Sequence, residues 1–162
     1  MGDENLVGEA DNVLIVRSAG RVYLQMLGEG KLDKANWDVL VTSQTGQDTD
    51  TPPRGEVIKF PGSRFNPENL SGALVDKINE KDYDLGIITY NSFYDFHYTA
   101  LEKIMEKFNF PRLLGVDQGM NAVKLTKPQL LRWRIVRSGL YLCQKHIIPT
   151  YVKISKNPRG RS

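Results

Sequence analysis

Five short runs that are apolar almost throughout constrain this chain more than anything else in it. They are "NVLIVRS" (Asn12 to Ser18), "WDVLVTS" (Trp37 to Ser43), "EVIKFPG" (Glu56 to Gly62), "YDLGIITY" (Tyr83 to Tyr90) and "RLLGVDQG" (Arg112 to Gly119). A strand with one wet face alternates apolar and polar residues, whereas a strand covered on both faces reads as a continuous apolar run. Between these runs lie segments of helical period. Arg21 to Leu32 is predicted as a helix weakened by Gly28 and Gly30. Pro67 to Glu80 carries Leu70, Leu74 and Ile78 on one face, with Asn66 as N-cap, Pro67 at the first helical position and Glu68 in the first turn. A helix from Tyr94 or Phe96 to Phe108 buries Leu101, Ile104, Met105 and Phe108, and a long helix covers Gln129 to Ile147. Strand and helix alternating in this way predict a Rossmann-like, doubly wound α/β fold, with a mostly parallel sheet of about five strands and a long C-terminal helix. The expected division is a flexible N-terminus (1–11), the α/β domain (12–125), a basic amphipathic helix region (126–155) and a disordered tail (156–162).

At 162 residues the chain suits one domain with its own core. No apolar run reaches the roughly 18 to 20 residues of a bilayer span, and "MGDENLVGEADN" lacks the layout of a secretory signal. The expectation is a cytoplasmic protein, peripheral at the membrane if it meets one. Cys143 is the single cysteine, and in an apolar segment it reads as a small core residue. Charge is distributed unevenly. Through Asp117 there are 12 Lys plus Arg against 19 Asp plus Glu; from Gln118 onward there are ten basic residues and no acidic one. Such asymmetry calls for an anionic partner or for docking on an acidic body.

In an open α/β sheet, ligands sit outside the carboxyl ends of the strands. The candidate ligand-binding residues are therefore Ser18, Gly20 and Arg21 after the first strand, Ser43 and Thr45 after the second, Tyr90, Asn91 and Ser92 after the fourth, and Asp117 after the fifth. The "SAGR" turn precedes a helix, so its backbone N–H groups are candidates to hold a phosphate beside Arg21. Neither a dinucleotide fingerprint nor a P-loop is present. In "YNSFYDFHY", Asp95 and His97 supply acid–base capacity and are the catalytic candidates, while the tyrosines suit a sugar or base ring. Two residues apart on a helix, Asp95 and His97 would not share a face, which argues against a dyad. The alternative is that Ser92 or Asp95 caps the helix and the aromatics pack below. His97 and His146 lack ligand-spaced partners, so no metal and no cofactor is expected.

The last helix sets Arg134, Arg137, Tyr141 and Lys145 along a basic stripe beside Trp133. Such a helix can lie in a membrane interface or dock a protein partner, and nucleic acid fits it less well.

"VLIVRSAGRVYLQML" resembles the opening strand, turn and helix of heptosyltransferase-like glycosyltransferases of the GT-B fold. "YDLGIITYNS" and "PRLLGVDQG" resemble later strands of the same acceptor-side half. The resemblance covers Asn12 to Gly119 and implies an acceptor-binding domain. Arg21 stands where that family places a catalytic Asp, and the donor-binding second domain is absent from the sequence. The resemblance thus implies an acceptor-side half: a subunit needing a partner that supplies donor binding, a fragment, or a relative that has lost catalysis, so that catalysis is not expected of this chain alone. Two other readings are a non-enzymatic scaffold docking a protein through the basic helix, and a phosphate- or nucleotide-handling enzyme.

Overall fold

The computed structural model describes residues 10–44, 54–95, 97–143 and 145. Asn12–Val16 (β1), Asn36–Val41 (β2), Val57–Lys59 (β3), Leu85–Thr89 (β4), Arg112–Val116 (β5) and Ala122–Lys124 (β6) form one sheet in the order β3-β2-β1-β4-β5-β6. The first five strands are parallel, and β6 runs antiparallel to β5. The sheet is Rossmann-like and mostly parallel, as the apolar runs predict, with one strand more than expected. That strand lies in "NAVKLTKP", whose alternating polar residues suit an edge position.

The helices are Gly20–Gly28 (α1), Gly72–Asn79 (α2), Tyr98–Met105 (α3) and Lys127–Leu142 (α4). They explain why the strands are apolar throughout. Val13, Ile15, Val39, Leu85 and Ile87 point to the face covered by Val22, Tyr23 and Met26 of α1. Leu14, Val16, Leu40, Ile58 and Ile88 point to the face covered by α2, by Leu101, Ile104 and Met105 of α3, and by Leu130 of α4. Successive residues of one strand enter two cores, so β4 is buried throughout and β1 and β2 expose only their first residue.

Local chemistry moves several boundaries. α1 stops at Gly28 rather than Leu32, because Gly30 takes a left-handed φ of 65° that glycine adopts without a Cβ penalty. The expected helix from Pro67 to Glu80 is two pieces, a 3-10 turn at Pro67–Asn69 and α2. Asn66 caps the first piece by accepting from the Glu68 amide (3.2 Å), and Ser71 caps the second by accepting from the Leu74 amide (3.3 Å). Two polar caps five residues apart outcompete a continuous helix. α4 begins at Lys127, behind an extended Thr126 and with Pro128 in its first turn. The predicted tail 156–162 and nearly all of the predicted N-terminal segment lie outside the described residues.

Candidate functional site

Because β1 and β4 are neighbours in the sheet but lead the chain in opposite directions, toward β2 and toward β5, their carboxyl ends diverge and leave a crevice. A cleft of about 450 Å3 opens there. Ser18 after β1, Thr42 and Gln44 after β2, and Ser63, Arg64 and Phe65 after β3 form one side of its wall. Asn91 and Asp95 after β4, with His97, Tyr98 and Leu101 at the start of α3, form the rest. Ser18, Asn91, Asp95 and His97 are thus brought together as the topology of the apolar runs implies.

Asp95 and His97 are a pair. The Asp95 carboxylate accepts from the His97 backbone N–H (3.0 Å) and lies 2.7 Å from His97 Nδ1. On a helix the two would diverge, but α3 begins only at Tyr98, and in the turn before it a two-residue separation closes an Asx-type ring. An imidazole held at Nδ1 by a carboxylate presents Nε2 as its basic nitrogen. Beside the pair, the Asn91 amide donates to the Tyr98 hydroxyl (2.7 Å), and Asn91 Oδ1 accepts from Gln118 Nε2 (3.2 Å), so the carboxamide is oriented. Burial raises the Tyr98 pKa, keeping its hydroxyl neutral.

Other candidates make contacts within the fold. Tyr90 is fully buried, its ring 4.6 Å from that of Tyr98 and its hydroxyl donating to Glu102 (3.0 Å); its pKa is driven upward by burial and then by the Glu102 charge. Gly115 makes room for it, since a Cβ there would stand 2.8 Å from the Tyr90 ring. Ser43 donates twice to the Gly62 carbonyl, and Ser92 receives the Tyr94 amide in the turn. The Asp117 carboxylate closes the β5–β6 turn by accepting from the Gly119 and Asn121 amides (2.9 and 3.0 Å). Gly20 and Arg21 are not in the cleft wall, and Thr45 lies outside the described residues.

Thr89 decides the chemistry of the "SAGR" turn. Its buried hydroxyl accepts from the Ser18 and Ala19 amides (3.2 and 2.9 Å) and donates to the Val16 carbonyl (3.1 Å), while Ser18 Oγ donates to the Thr89 carbonyl (2.5 Å). Two of the N–H groups that a phosphate would need are already engaged. Sequence reasoning missed Thr89 because a threonine ending a strand is ordinary β chemistry.

The stripe on α4 is turned around. Arg137 is 1% exposed and pairs with Glu102 of α3 (2.7 Å); Arg134 pairs with Glu106 (3.1 Å); Trp133 packs toward the core, its ring 5.0 Å from Phe93. Tyr141 and Lys145 remain outside, with the Lys145 ammonium 5.7 Å from the Tyr141 ring. The exposed face instead carries Leu131, Ile135 and Leu142, and Cys143 is exposed rather than in the core. Glu102 on α3 and Glu106 at its C-terminal cap select the basic side of the helix, which period and charge within α4 alone cannot foretell.

Among the described residues, no group of three or more His, Cys, Asp or Glu could hold a metal ion, and no helix is long and apolar enough to cross a membrane. No protein-family model, curated protein or solved structure matches the chain.

Proposed function

We propose that this chain is an acceptor-binding domain of the GT-B glycosyltransferase type, taking a polyhydroxylated, sugar-like molecule in the cleft at the β1/β4 switch point and working at an anionic membrane surface with a donor-binding partner. The observation that carries the reading is the composition of that cleft. Hydroxyl and carboxamide groups (Ser18, Thr42, Gln44, Ser63, Asn91) converge with Phe65 and Tyr98, the mixture of hydrogen-bonding edges and ring faces that suits a sugar. The Asp95–His97 pair stands where a general base for an acceptor hydroxyl would be needed. It supplies the basic group that Arg21 cannot, since a guanidinium stays protonated. The outward face of α4, with Leu131, Ile135 and Leu142 among a C-terminal segment rich in basic residues, supports the membrane part.

Saturation-transfer NMR with a panel of free aldohexoses and aldoheptoses tests the proposal. Transfer to ring protons of at least one sugar is expected, and it should be lost in Asn91→Ala while His97→Ala retains it, because His97 acts on the reacting hydroxyl and Asn91 holds the ring. Absence of transfer to every sugar would defeat the reading.

A further inference from the structure

A second concavity, of about 400 Å3, lies between α4 and the turn that precedes α3. Phe93 and Tyr94 line it from the turn, and Arg132, Trp133, Val136 and Arg137 line it from the helix. Tyr94 and Asp95 are consecutive, yet one lines this space and the other the cleft, so the turn separates the two.

Three observations give this space a chemistry. Arg137, although 1% exposed, uses Nη1 on Glu102 and Nε on the Phe93 carbonyl (both 2.7 Å), and its Nη2 is buried with no hydrogen-bond partner. Buried N–H groups in folded proteins almost always have an acceptor, so this orphan, on a residue that lines the concavity, leaves one donor for an acceptor oxygen. Arg132 is exposed, and no carboxylate lines the space to neutralise it; the nearby Glu102 and Glu106 are taken by Arg137 and Arg134. Finally, the Trp133 and Phe93 rings lie 5.0 Å apart at 35°, and Tyr94 is 67% exposed, so an apolar or planar group attached to the anion would have ring faces to rest on. Arg132 and Arg137, five residues apart on α4, both line this space, and the spread oxygens of a phosphate can accept from two guanidinium groups.

We infer that this concavity is a phosphate-ester site. Arg132 and Arg137 donate to the phosphate, and Trp133 and Tyr94 carry its organic substituent. The site stands apart from the sugar reading, because none of its residues lines the cleft. Its ligand is either a lipid headgroup phosphate or a soluble phosphate ester.

Trp133 emission reports occupancy, and Trp37→Phe in the full-length chain removes the other indole, which is buried on the opposite face of the sheet. The titrants are inorganic phosphate, phenyl phosphate, and dihexanoyl phosphatidic acid kept below its micelle concentration. Saturable change is expected with at least one ester. Arg132→Glu should weaken it tenfold or more with an unchanged melting temperature, and Tyr94→Ala should weaken the esters but not inorganic phosphate. Binding of the lipid alone would identify a headgroup site, and binding of phenyl phosphate alone a soluble ester; either supports the inference. No saturable change with any titrant, or equal affinity in Arg132→Glu, overturns it.

Discussion

Arg137 on α4 and Glu102 on α3 form an ion pair, Nη1 to Oε1 at 2.7 Å, in which neither side chain is more than 1% exposed. A charge pair removed from water depends on the geometry of both partners, and removing one leaves the other buried and uncompensated, at a cost of about 3–5 kcal/mol. Glu102→Ala is therefore expected to lower unfolding free energy by that amount in urea titration. Replacing both residues with apolar ones, Glu102→Leu with Arg137→Met, should recover most of the loss. A single variant as stable as the parent would mean that α4 is not held by this pair.

Thr89 joins the ends of β1 and β4 through one hydroxyl with three hydrogen bonds. In Thr89→Val the shape is kept, but the buried Ala19 amide loses its acceptor while the Ser18 amide keeps only the Val16 carbonyl (3.0 Å), and an unsatisfied buried donor costs about 1–3 kcal/mol. The expected result is a destabilisation in that range for Thr89→Val and a smaller one for Thr89→Ser, which keeps the hydroxyl. Inorganic phosphate should not stabilise the valine variant more than the parent. Selective stabilisation would show that the freed amides had become an anion site.

On the side of the molecule opposite the cleft, Asp38 accepts from Lys81, the Tyr83 hydroxyl and the Glu56 amide. Burial works against its carboxylate, but the Glu56 amide, Lys81 and Tyr83 together bring its pKa below the ordinary 3.8. A carboxyl with a depressed folded pKa contributes stability above its unfolded pKa and loses it as pH falls through the folded value. Tyr23, Tyr83, Tyr90 and Tyr98 lie on the other limb. Burial raises each above 10.0, so their contribution is complete below about pH 10 and declines as pH rises further. Urea titrations across pH should show an acid loss below about pH 4, flattened in Asp38→Asn, and an alkaline loss above about pH 10 that Asp38→Asn does not remove. An acid limb of equal depth in the variant would place the titrating group elsewhere.

What could be read from the sequence was what one element decides by itself. Runs such as "VLIV" declare burial on both faces, and Asn66 with Pro67 declares the start of a helical turn. The rim followed from topology, and so Ser18, Asn91, Asp95 and His97 could be placed near one another before any contact was known. Tyr90 could not, because its direction depends on Gly115 leaving space on the next strand and on Glu102 waiting beneath α3. Nor could the orientation of α4 be read, since Glu102 on α3 and Glu106 at its C-terminal cap lie about thirty residues earlier. A helix with one arginine row and one leucine row is symmetric to any single-helix argument, and only the carboxylates opposite it break the tie.

That inversion changes which residues should matter at a membrane. Leu131, Ile135 and Leu142 are 58%, 65% and 55% exposed, on one side of α4, whereas Arg134 and Arg137 face α3. Each aliphatic side chain that moves from water into the acyl boundary contributes about 1.5–3 kcal/mol when fully inserted, so losing two weakens binding more than tenfold. Co-sedimentation with anionic vesicles at low salt is therefore expected to fall by that factor in Leu131→Ser with Ile135→Ser, at an unchanged melting temperature. High salt should weaken the parent as well, through screening of the basic segment. Arg134→Glu with Arg137→Glu should instead lower the melting temperature, since it sets four carboxylates against one another across α3 and α4. If the serine pair sediments like the parent while the charge reversal releases a still-folded protein, the apolar face of α4 does not meet lipid.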